Sequence, residues 1–545
     1  MCSGLTCRMV TLDDVRSWDS RVLASASDVL MRSWHELATA PASLTDTVFG
    51  DEWSGPAADA ARETMRRIRS ALGDASAELL RVALCTAEAS IDMASLCAAL
   101  HRVEQEATES RFGVGSDGAV TDMLASYSVA LSDLWSTRRD RRRLHEELQA
   151  RISQLLRTAT AFDDALARRL AGGASATVVA TAVAASVPSD GTSAGNAAFW
   201  SALSPAARTR LIVEHPEVIG NLDGLPGRVR DSANRRVLVA ERLRLHEAEV
   251  ELQNELGHNV FGGIFSDADA GLEQTRKRLA SLDAIEKVLA QGDRQLLVLD
   301  NASYEETTAA IAVGDVDTAT HVAVFVPGLG STVHEDLDGY DGNMDSLNSA
   351  VQQLLQSDQG ESVASVTWMN YQTPQLGWSL LDPDRSVVSA LAAQAGARRL
   401  GPFLDGLDAA RANDPHLSVV AHSYGSLTSA SALRDGTGVD EFVALGSPGL
   451  GTHSAADLEL PGGHVFVAEA DGDVVADLGA FGRDPGALDG VAVLDTDGSE
   501  GHGDYLTQGS TSEHNTALVV ADRSEDAVIK ARPGLFDLLQ RILYL

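Results

Sequence analysis

The sequence has few cysteines, and those it has are badly placed for cross-linking. The four among 545 residues are Cys2, Cys7, Cys85 and Cys97. Cys85 and Cys97 fall in one predicted helix, about 18 Å apart along its axis, too far for a disulfide while that helix is straight. The spacing of the four also matches no zinc-binding pattern. The sequence therefore excludes a disulfide-rich scaffold and predicts no metal site.

Positive charge is also scarce. The chain has 43 Lys and Arg against 78 Asp and Glu, a formal net charge of -35. Such a balance argues against non-specific binding to nucleic acid or to an anionic membrane, because both need a positive field. The hydrophobic content of 44% is enough for a sizeable core. We therefore expect a globular protein of two to four domains with no nucleic-acid partner.

Long apolar segments are missing as well. The N-terminal MCSGLTCRMVTLDDV contains no apolar core of a signal peptide, which predicts a cytoplasmic protein. The uncharged stretch at 171–189, AGGASATVVATAVAASVPS, consists mainly of Ala, Thr, Ser and Gly, so its transfer into lipid is marginal. A packed helix or linker is favoured there, and no stable membrane span is expected.

The first 112 residues are predicted to form a helical hairpin. Apolar residues recur at helical spacing from Asp13 to Ala38 and from Pro56 to Glu106, with Trp53-Ser54-Gly55 between them. This arrangement resembles the WXG-type helical hairpins associated with type VII secretion. The resemblance implies a protein partner or export by that route, whereas an ordinary hairpin with a packed Trp explains the same pattern. A Y-x-x-x-D/E export signal is lacking, which weighs against export.

Residues 113–292 are predicted to form a second helical region. The segment GVGSDG at 113–118 predicts a flexible break, and a helix follows from Ala119 to Leu170. Two more helices are predicted at 228–256 and 267–290.

The hydrophobic period changes from helix to strand near Gln295. Eight short, β-branched apolar runs follow, and several alternate with helical segments: 295–300, 308–315, 321–328, 362–369, 417–423, 441–448, 464–471 and 490–497. Runs that are apolar on both faces and alternate with helices predict a mostly parallel sheet covered by helices. We therefore expect an α/β domain over residues 293–545.

The stretch VVAHSYGS at 419–426 is the strongest chemical signal in the chain. A strand leads into Ala421-His422-Ser423-Tyr424-Gly425, and a helix follows. This is the frame of a nucleophile elbow, in which small residues flank a serine on a tight strand-to-helix turn. Ala replaces the first glycine of the usual pattern. We predict Ser423 as a nucleophile, and an ordinary strand-to-helix turn is the alternative.

A serine nucleophile needs a base, and the base needs an acid to orient it. In alpha/beta-hydrolases the chain order is Ser, then Asp or Glu, then His. Asp473 follows a late strand, and His502 lies in a glycine-flanked loop after the last strand. We favour Asp473 over Asp471, and His502 over His514, because the segment of His514 has the pattern of a helix start.

The oxyanion hole needs two backbone N–H donors. One is expected from Tyr424, the residue after the nucleophile. The other is assigned to Leu329, in the glycine-rich loop Gly328-Leu329-Gly330 that follows the third strand. We expect His422 to pack locally, with its side chain pointing away from the serine hydroxyl.

Residues 199–520 resemble an actinobacterial family of alpha/beta-hydrolase-like proteins of unknown function. The stretches that carry the resemblance are HPEVIGNLDGLPGRVRDSANR (215–235), VFVPGLGST (324–332), AHSYGS (421–426), LGSPGLGTHSAADL (445–458), DGDVV with FGRDP (471–485) and GHGDYLTQGSTSEHN (501–515). The resemblance implies an alpha/beta-hydrolase fold behind a helical N-terminal region, and it gives no firm substrate.

The sequence as a whole predicts a serine hydrolase that acts on small-molecule or lipid esters and needs no cofactor. Thioesterase, peptidase and acyltransferase activities stay open. The segment Tyr371–Asp384 is a candidate wall or lid, with Leu376, Trp378 and Leu380 as candidate acyl-chain contacts. The alternative is a secretion-associated effector or interaction protein whose hydrolase fold is cargo or catalytically silent.

Overall fold

A computed structural model describes most of the chain. The described residues are 9–43, 55–123, 134–171, 192–258, 267–357, 360–374, 390–460, 464–473, 475–476 and 481–530. The chain divides into two compact units. The first contains residues 1–190 and 195–211, and the second contains residues 191–194 and 212–545.

Helices and strands follow the predicted order, helices first and the sheet later. The described helices are α1 (Leu12–Ser17), α2 (Ser20–Ser43), α3 (Pro56–Glu109), α4 (Leu134–Leu170), α5 (Ser193–Ala202), α6 (Pro205–Glu214), α7 (Pro216–Ile219), α8 (Gly227–His258), α9 (Asp267–Leu289), α10 (Val333–Leu354), α11 (Ala390–Ala409), α12 (Tyr424–Leu433) and α13 (Thr511–Val520). The described strands are β1 (Phe112–Val114), β2 (Val120–Asp122), β3 (Arg294–Asp300), β4 (Thr308–Val313), β5 (His321–Val326), β6 (Val363–Met369), β7 (His416–His422), β8 (Glu441–Leu445), β9 (Val465–Ala468) and β10 (Ala492–Leu494).

The helical unit is built around the long helix α3. Pro56 occupies its first turn, where a missing N–H costs nothing. Helix α3 packs against α2 and α4, and Leu100, Leu148 and Ile152 are buried in the shared core. Trp53 and Ser54 lie outside the described residues, so the WXG-type turn stays a prediction.

The predicted break at 113–118 is wrong. Residues 112–122 form an antiparallel hairpin, in which Val114 pairs with Val120. The physical reason is local: β-branched residues flank a Ser-Asp-Gly turn, in which Gly118 has a φ of 82° and the Asp117 carboxylate accepts a hydrogen bond from the Ala119 amide. The following helix begins at Leu134 rather than at Ala119, and residues 124–133 lie outside the described ones.

Helix α3 also carries two of the features examined in the sequence. Cys85 and Cys97 are both free thiols, and no disulfide joins them, in agreement with their predicted separation along one helix. Among the described residues, the stretch Ala75–Glu109 is the one helical segment that is long and apolar enough to cross a bilayer by length and composition, a property that core helices share. Most of the stretch at 171–189 lies outside the described residues.

The second unit contains an eight-stranded sheet, which confirms the predicted α/β fold. The strand order is β10-β9-β8-β7-β5-β6-β4-β3. Neighbouring strands from β10 to β6 are parallel, and β4 pairs antiparallel with β3 and β6. All eight predicted strand runs are present in this sheet.

Helices cover both faces of the sheet because its strands are apolar on both sides. Along β5, Val322 and Val324 pack into a core that includes residues of α11 and α12. The alternate residues Ala323 and Phe325 pack into a second core, with residues of α10 and α13. This alternation follows from the two-residue period of a strand.

Residues 212–292 belong to the same compact unit as the sheet, whereas the sequence predicts a domain boundary at 293. The reason is packing: Leu282 and Ile285 of α9 share a buried cluster with Leu296 and Ile311 of the first two sheet strands. Helix α8 joins the same cluster through Leu238.

Candidate active site

Ser423 lies on a strained turn between β7 and α12. Its φ of 54° and ψ of -128° are unusual for a residue with a side chain, at a cost on the order of 1–3 kcal/mol. Gly425 explains why a small residue must follow: a Cβ there would lie 2.2 Å from the Val326 carbonyl oxygen. Ala421, the departure from the usual first glycine, fits inside β7, where it pairs with Val326 and Ala444.

His502 and Asp473 are brought together beyond the ends of β10 and β9. The His502 Nδ1 lies 3.0 Å from Oδ1 and 2.9 Å from Oδ2 of Asp473. Because a carboxylate can only accept, Nδ1 carries the proton, and in the neutral ring Nε2 is then the atom that can take one up. The Asp473 side chain is fully buried, while that of His502 is 30% exposed.

Several donors stabilise the buried Asp473 carboxylate. The Tyr505 hydroxyl donates to Oδ2 at 2.6 Å, and the Val475 and Ala476 amides donate to Oδ1 at 3.0 and 3.2 Å. Burial raises the pKa of Asp473, but the hydrogen bonds from Tyr505, His502 and Ala476 and the charge of His502 outweigh it, so the pKa is lower than usual. Asp473 is therefore ionised at neutral pH.

The structure separates the favoured acid and base from their alternatives. The Asp471 side chain is 98% exposed and pairs with Lys530 Nζ at 3.1 Å. His514 is exposed on α13, the helix that its sequence predicts. Of these four candidates, only Asp473 and His502 form an acid–imidazole pair with each other.

The serine and the acid–imidazole pair belong to the same edge of the sheet. The Ser423 amide donates to the Leu445 carbonyl at 2.9 Å, which anchors the elbow to the end of β8. The next residue, Gly446, has a φ of 56°. A Cβ on Gly446 would lie 2.8 Å from Asp473 Oδ2 and 3.2 Å from His502 Nδ1. The end of β8 therefore contacts the elbow on one side and the pair on the other.

His422 packs against the candidate base, in keeping with the local role expected for it. Its ring centroid lies 4.6 Å from that of His502, and its Nε2 donates to the His502 carbonyl at 2.6 Å. Burial and the charge of His502 lower the pKa of His422 to about 4. His422 is thus neutral at physiological pH and holds the loop of His502.

The glycine-rich loop after β5 lies directly against the elbow. A Cβ on Gly328 would lie 2.7 Å from Ser423 Cβ and 3.0 Å from the Tyr424 amide nitrogen. The Gly330 amide donates to Pro374 at 2.9 Å. For the Leu329 amide, the described part of the chain supplies no hydrogen-bond acceptor. The Leu329 amide is therefore a suitable second oxyanion donor, next to the Tyr424 amide.

Tyrosine side chains support this loop and the acid. The Tyr371 hydroxyl donates to the Pro327 carbonyl at 2.6 Å, next to Gly328. The Tyr505 hydroxyl also accepts from the Ala470 amide at 3.0 Å. Sequence reasoning missed Tyr505 and Gly446; the only signals were a tyrosine three residues after the candidate base and a glycine directly after a buried strand. The candidate lid residues Leu376, Trp378 and Leu380 lie outside the described residues.

Comparison with known proteins identifies a family match within the second unit and relatives of the chain. Residues 303–483 match the model of a family described as alpha/beta hydrolase, and this match ends before His502. The uncharacterized protein Rv2079 of Mycobacterium tuberculosis is 32% identical over 335 residues, 57% of this chain and 50% of that protein. The uncharacterized protein Mb0988c of Mycobacterium bovis is 31% identical over 246 residues, 43% of this chain and 90% of that protein.

This chain thus spans about half the length of Rv2079 and most of the length of Mb0988c. Solved structures show weaker likeness. A dienelactone hydrolase from Anabaena variabilis is 14% identical with a TM-score of 0.27, over 44% of this chain and 100% of that one. A Pyrobaculum calidifontis esterase is 15% identical with a TM-score of 0.28, over 50% of this chain and 97% of that one. Likeness at this level says nothing about substrate.

Proposed function

We propose that this chain, which carries an alpha/beta hydrolase domain and belongs to one family with uncharacterized mycobacterial proteins, is a serine hydrolase of carboxylic esters. The observation that carries the proposal is Ser423 on a strained elbow, at the same sheet edge as a His502–Asp473 pair. A strained backbone conformation at a serine has an energetic cost, and a catalytic role at the same sheet edge as an oriented imidazole explains why it is kept.

Acylation begins when Ser423 Oγ attacks the ester carbonyl carbon. The Oγ proton passes to His502 Nε2, and the carbonyl oxygen becomes an oxyanion. The Tyr424 and Leu329 amides stabilise that oxyanion. When the tetrahedral intermediate collapses, the bond to the alkoxy oxygen breaks, and His502 returns the proton to the leaving alcohol.

Deacylation repeats the same steps with water. The oxygen of a water molecule attacks the acyl carbon while His502 takes a proton from that water. His502 then protonates Ser423 Oγ as the carboxylic acid product leaves. Asp473 stays ionised throughout. It holds the imidazole in the Nδ1–H tautomer and stabilises the imidazolium that forms in each half of the reaction.

Thioesters, amides and acyl acceptors other than water would pass through the same acyl-enzyme. An ester is favoured over an amide because an alcohol leaves more readily than an amine. Substrate class is therefore a matter for measurement, and p-nitrophenyl esters of increasing acyl length are the first substrates to use.

The test compares wild type with Ser423→Ala on such esters. We expect kcat/KM to fall to the background rate, on the order of 10⁴-fold or more. The matched control is Ser431→Ala, on the same helix, where the hydroxyl only donates to the Leu427 carbonyl. Equal turnover by wild type and Ser423→Ala would contradict the proposal.

The comparisons do not bear on export or on a protein partner of the helical unit. Both stay predictions, as does the cytoplasmic location. Fluorophosphonate labelling distinguishes an active serine from a silent hydrolase fold, in which Ser423 would not react.

A further inference from the structure

A second cluster of titratable side chains lies at the amino ends of the sheet strands, opposite the carboxyl ends where Ser423 lies. His416 and Glu441 are the first residues of the parallel strands β7 and β8, and His464 immediately precedes β9. Asp522 follows the end of α13. These residues lie at the amino ends of the strands, whereas Ser423 lies at the carboxyl end of β7. The cluster is therefore separate from the candidate active site.

Glu441 is the most deeply buried residue of this cluster. Its side chain is 0% exposed, and neither carboxylate oxygen has a hydrogen-bond partner among the described residues. A buried carboxylate without hydrogen bonds is costly, because it has lost the hydrogen bonds that it makes to water in the unfolded chain. A bound cation would stabilise the charge of such a group, and a proton would neutralise it.

Two imidazole nitrogens lie within ion-pair distance of this carboxylate. His416 Nε2 lies 3.4 Å from Oε2, and His464 Nδ1 lies 3.3 Å from Oε1. Neither nitrogen has a hydrogen-bond partner in the described part of the chain. Two donors about 2.1 Å from one tetrahedral ion lie about 3.4 Å from each other. The observed separations of 3.4 and 3.3 Å match this spacing.

Asp522 brings a second carboxylate from a different element. One nitrogen of His416 and one oxygen each from Glu441 and Asp522 lie within 4.8 Å of one another. The Asp522 side chain is 65% exposed, which leaves the group open to solvent. Asp440 also borders the cluster: its Oδ2 lies 3.8 Å from His416 Nδ1 and accepts a hydrogen bond from the Leu417 amide at 2.8 Å.

We propose that His416, Glu441 and Asp522 bind a divalent transition-metal ion such as Zn²⁺, with His464, whose Nδ1 lies 3.3 Å from Glu441 Oε1, as a further donor. Imidazole and carboxylate together suit Zn²⁺ and its neighbours better than Mg²⁺ or Ca²⁺, which prefer oxygen alone. The ion joins the starts of two strands to the end of α13, so its role is structural. The ligands come from separate segments, and for that reason no spacing in the sequence revealed the site.

The experiment uses the full chain without a histidine tag, stripped with a chelator and dialysed against Zn²⁺. Bound zinc is counted by elemental analysis, and thermal unfolding is followed with and without the metal. We expect wild type to bind one Zn²⁺ per chain more than Glu441→Gln or Asp522→Asn, and Zn²⁺ to raise its unfolding midpoint by a few degrees.

Asp522→Asn is the decisive variant, because the side chain is exposed and its loss leaves the fold intact. The matched control is Asp526→Asn, a nearby exposed carboxylate, which should bind zinc as wild type does. No zinc on wild type would overturn the proposal. Equal zinc on wild type, Glu441→Gln and Asp522→Asn would overturn it too, since the metal would then lie elsewhere, for example on His422 and His502.

Discussion

The two edges of the parallel sheet treat buried charge in opposite ways. At the carboxyl edge, Asp473 receives hydrogen bonds from Tyr505, His502 and two backbone amides. At the amino edge, Glu441 is equally buried, yet its oxygens face His416 and His464 without a hydrogen bond among the described residues. The Asp473 carboxylate is fully hydrogen-bonded by the protein, whereas the Glu441 carboxylate receives no hydrogen bond from the described part of the chain.

This difference indicates what each edge is built to bind. A complete hydrogen-bond network fixes Asp473 and His502 before any substrate arrives, as preorganised catalysis requires. Unpartnered nitrogen and oxygen atoms that face each other describe a site completed by an ion. The following predictions are ordered from the largest expected effect to the smallest, and each can break this contrast or sharpen it.

Asp473→Asn should have the largest effect. An amide in this position favours the wrong imidazole tautomer and cannot stabilise the imidazolium, so kcat on a reactive ester should fall about 10⁴-fold. The matched control is Asp471→Asn, two residues away and fully in solvent, for which kcat should match wild type. If both variants behave alike, the triad acid has been misassigned.

His422 should make stability depend on pH. Its pKa is about 4 in the folded protein against an ordinary value of 6.5. Between these values the unfolded chain binds more protons, so this contribution is complete above pH 6.5 and is lost as the pH falls toward 4. At ~1.4 kcal/mol per pKa unit, it amounts to about 3 kcal/mol.

Chemical unfolding of wild type and His422→Gln at pH 7.5 and 5.0 checks this prediction. The variant keeps a donor for the His502 carbonyl but has no titrating ring. It should lose less stability than wild type between the two pH values. Parallel losses in the two proteins would show that His422 is not held neutral.

Tyr505→Phe should reduce kcat less than Asp473→Asn does. The Ala470 amide loses its acceptor and Asp473 loses its shortest hydrogen bond, a combined cost of about 1–3 kcal/mol of unfolding free energy. Because Tyr505 positions the acid, kcat should fall about 10-fold while KM stays near its wild-type value. Thermal unfolding and ester kinetics measure the two effects. A variant with unchanged kcat would show that Tyr505 does not position Asp473 for catalysis.

Asp522→Asn should leave catalysis unchanged, which is the smallest effect. Its carboxylate belongs to the amino edge, and Ser423 lies at the carboxyl edge. We expect ester kcat/KM within about twofold of wild type, since exposed substitutions away from a site have small effects. A large loss of activity in this variant would show that the two edges are coupled.

The sheet and the acid–base pair could be predicted from the sequence because their signals are local. Each strand is a short β-branched run bounded by turn residues, and Asp473 and His502 follow such runs in the chain order of the fold. The hairpin at 112–122 was missed because GVGSDG at 113–118 was interpreted as a break, although Val114 within it and Val120 after it are strand residues on either side of the turn.

Other features depend on tertiary contacts that no local pattern contains. The packing of α9 on β3 and β4 decides that residues 212–292 belong with the sheet. Tyr505 meets Asp473 only after the last strand is placed. The amino-edge cluster draws one residue from each of four separate segments, so the sequence suggested no metal site at all.

Fluorophosphonate labelling of the full chain tests the central claim most directly, because the probe reacts only with an activated serine. Wild type should be labelled once, with the adduct on Ser423 by peptide mass spectrometry, and Ser423→Ala should not be labelled. Folded wild-type protein that stays unlabelled, or a label on another serine, would contradict the account.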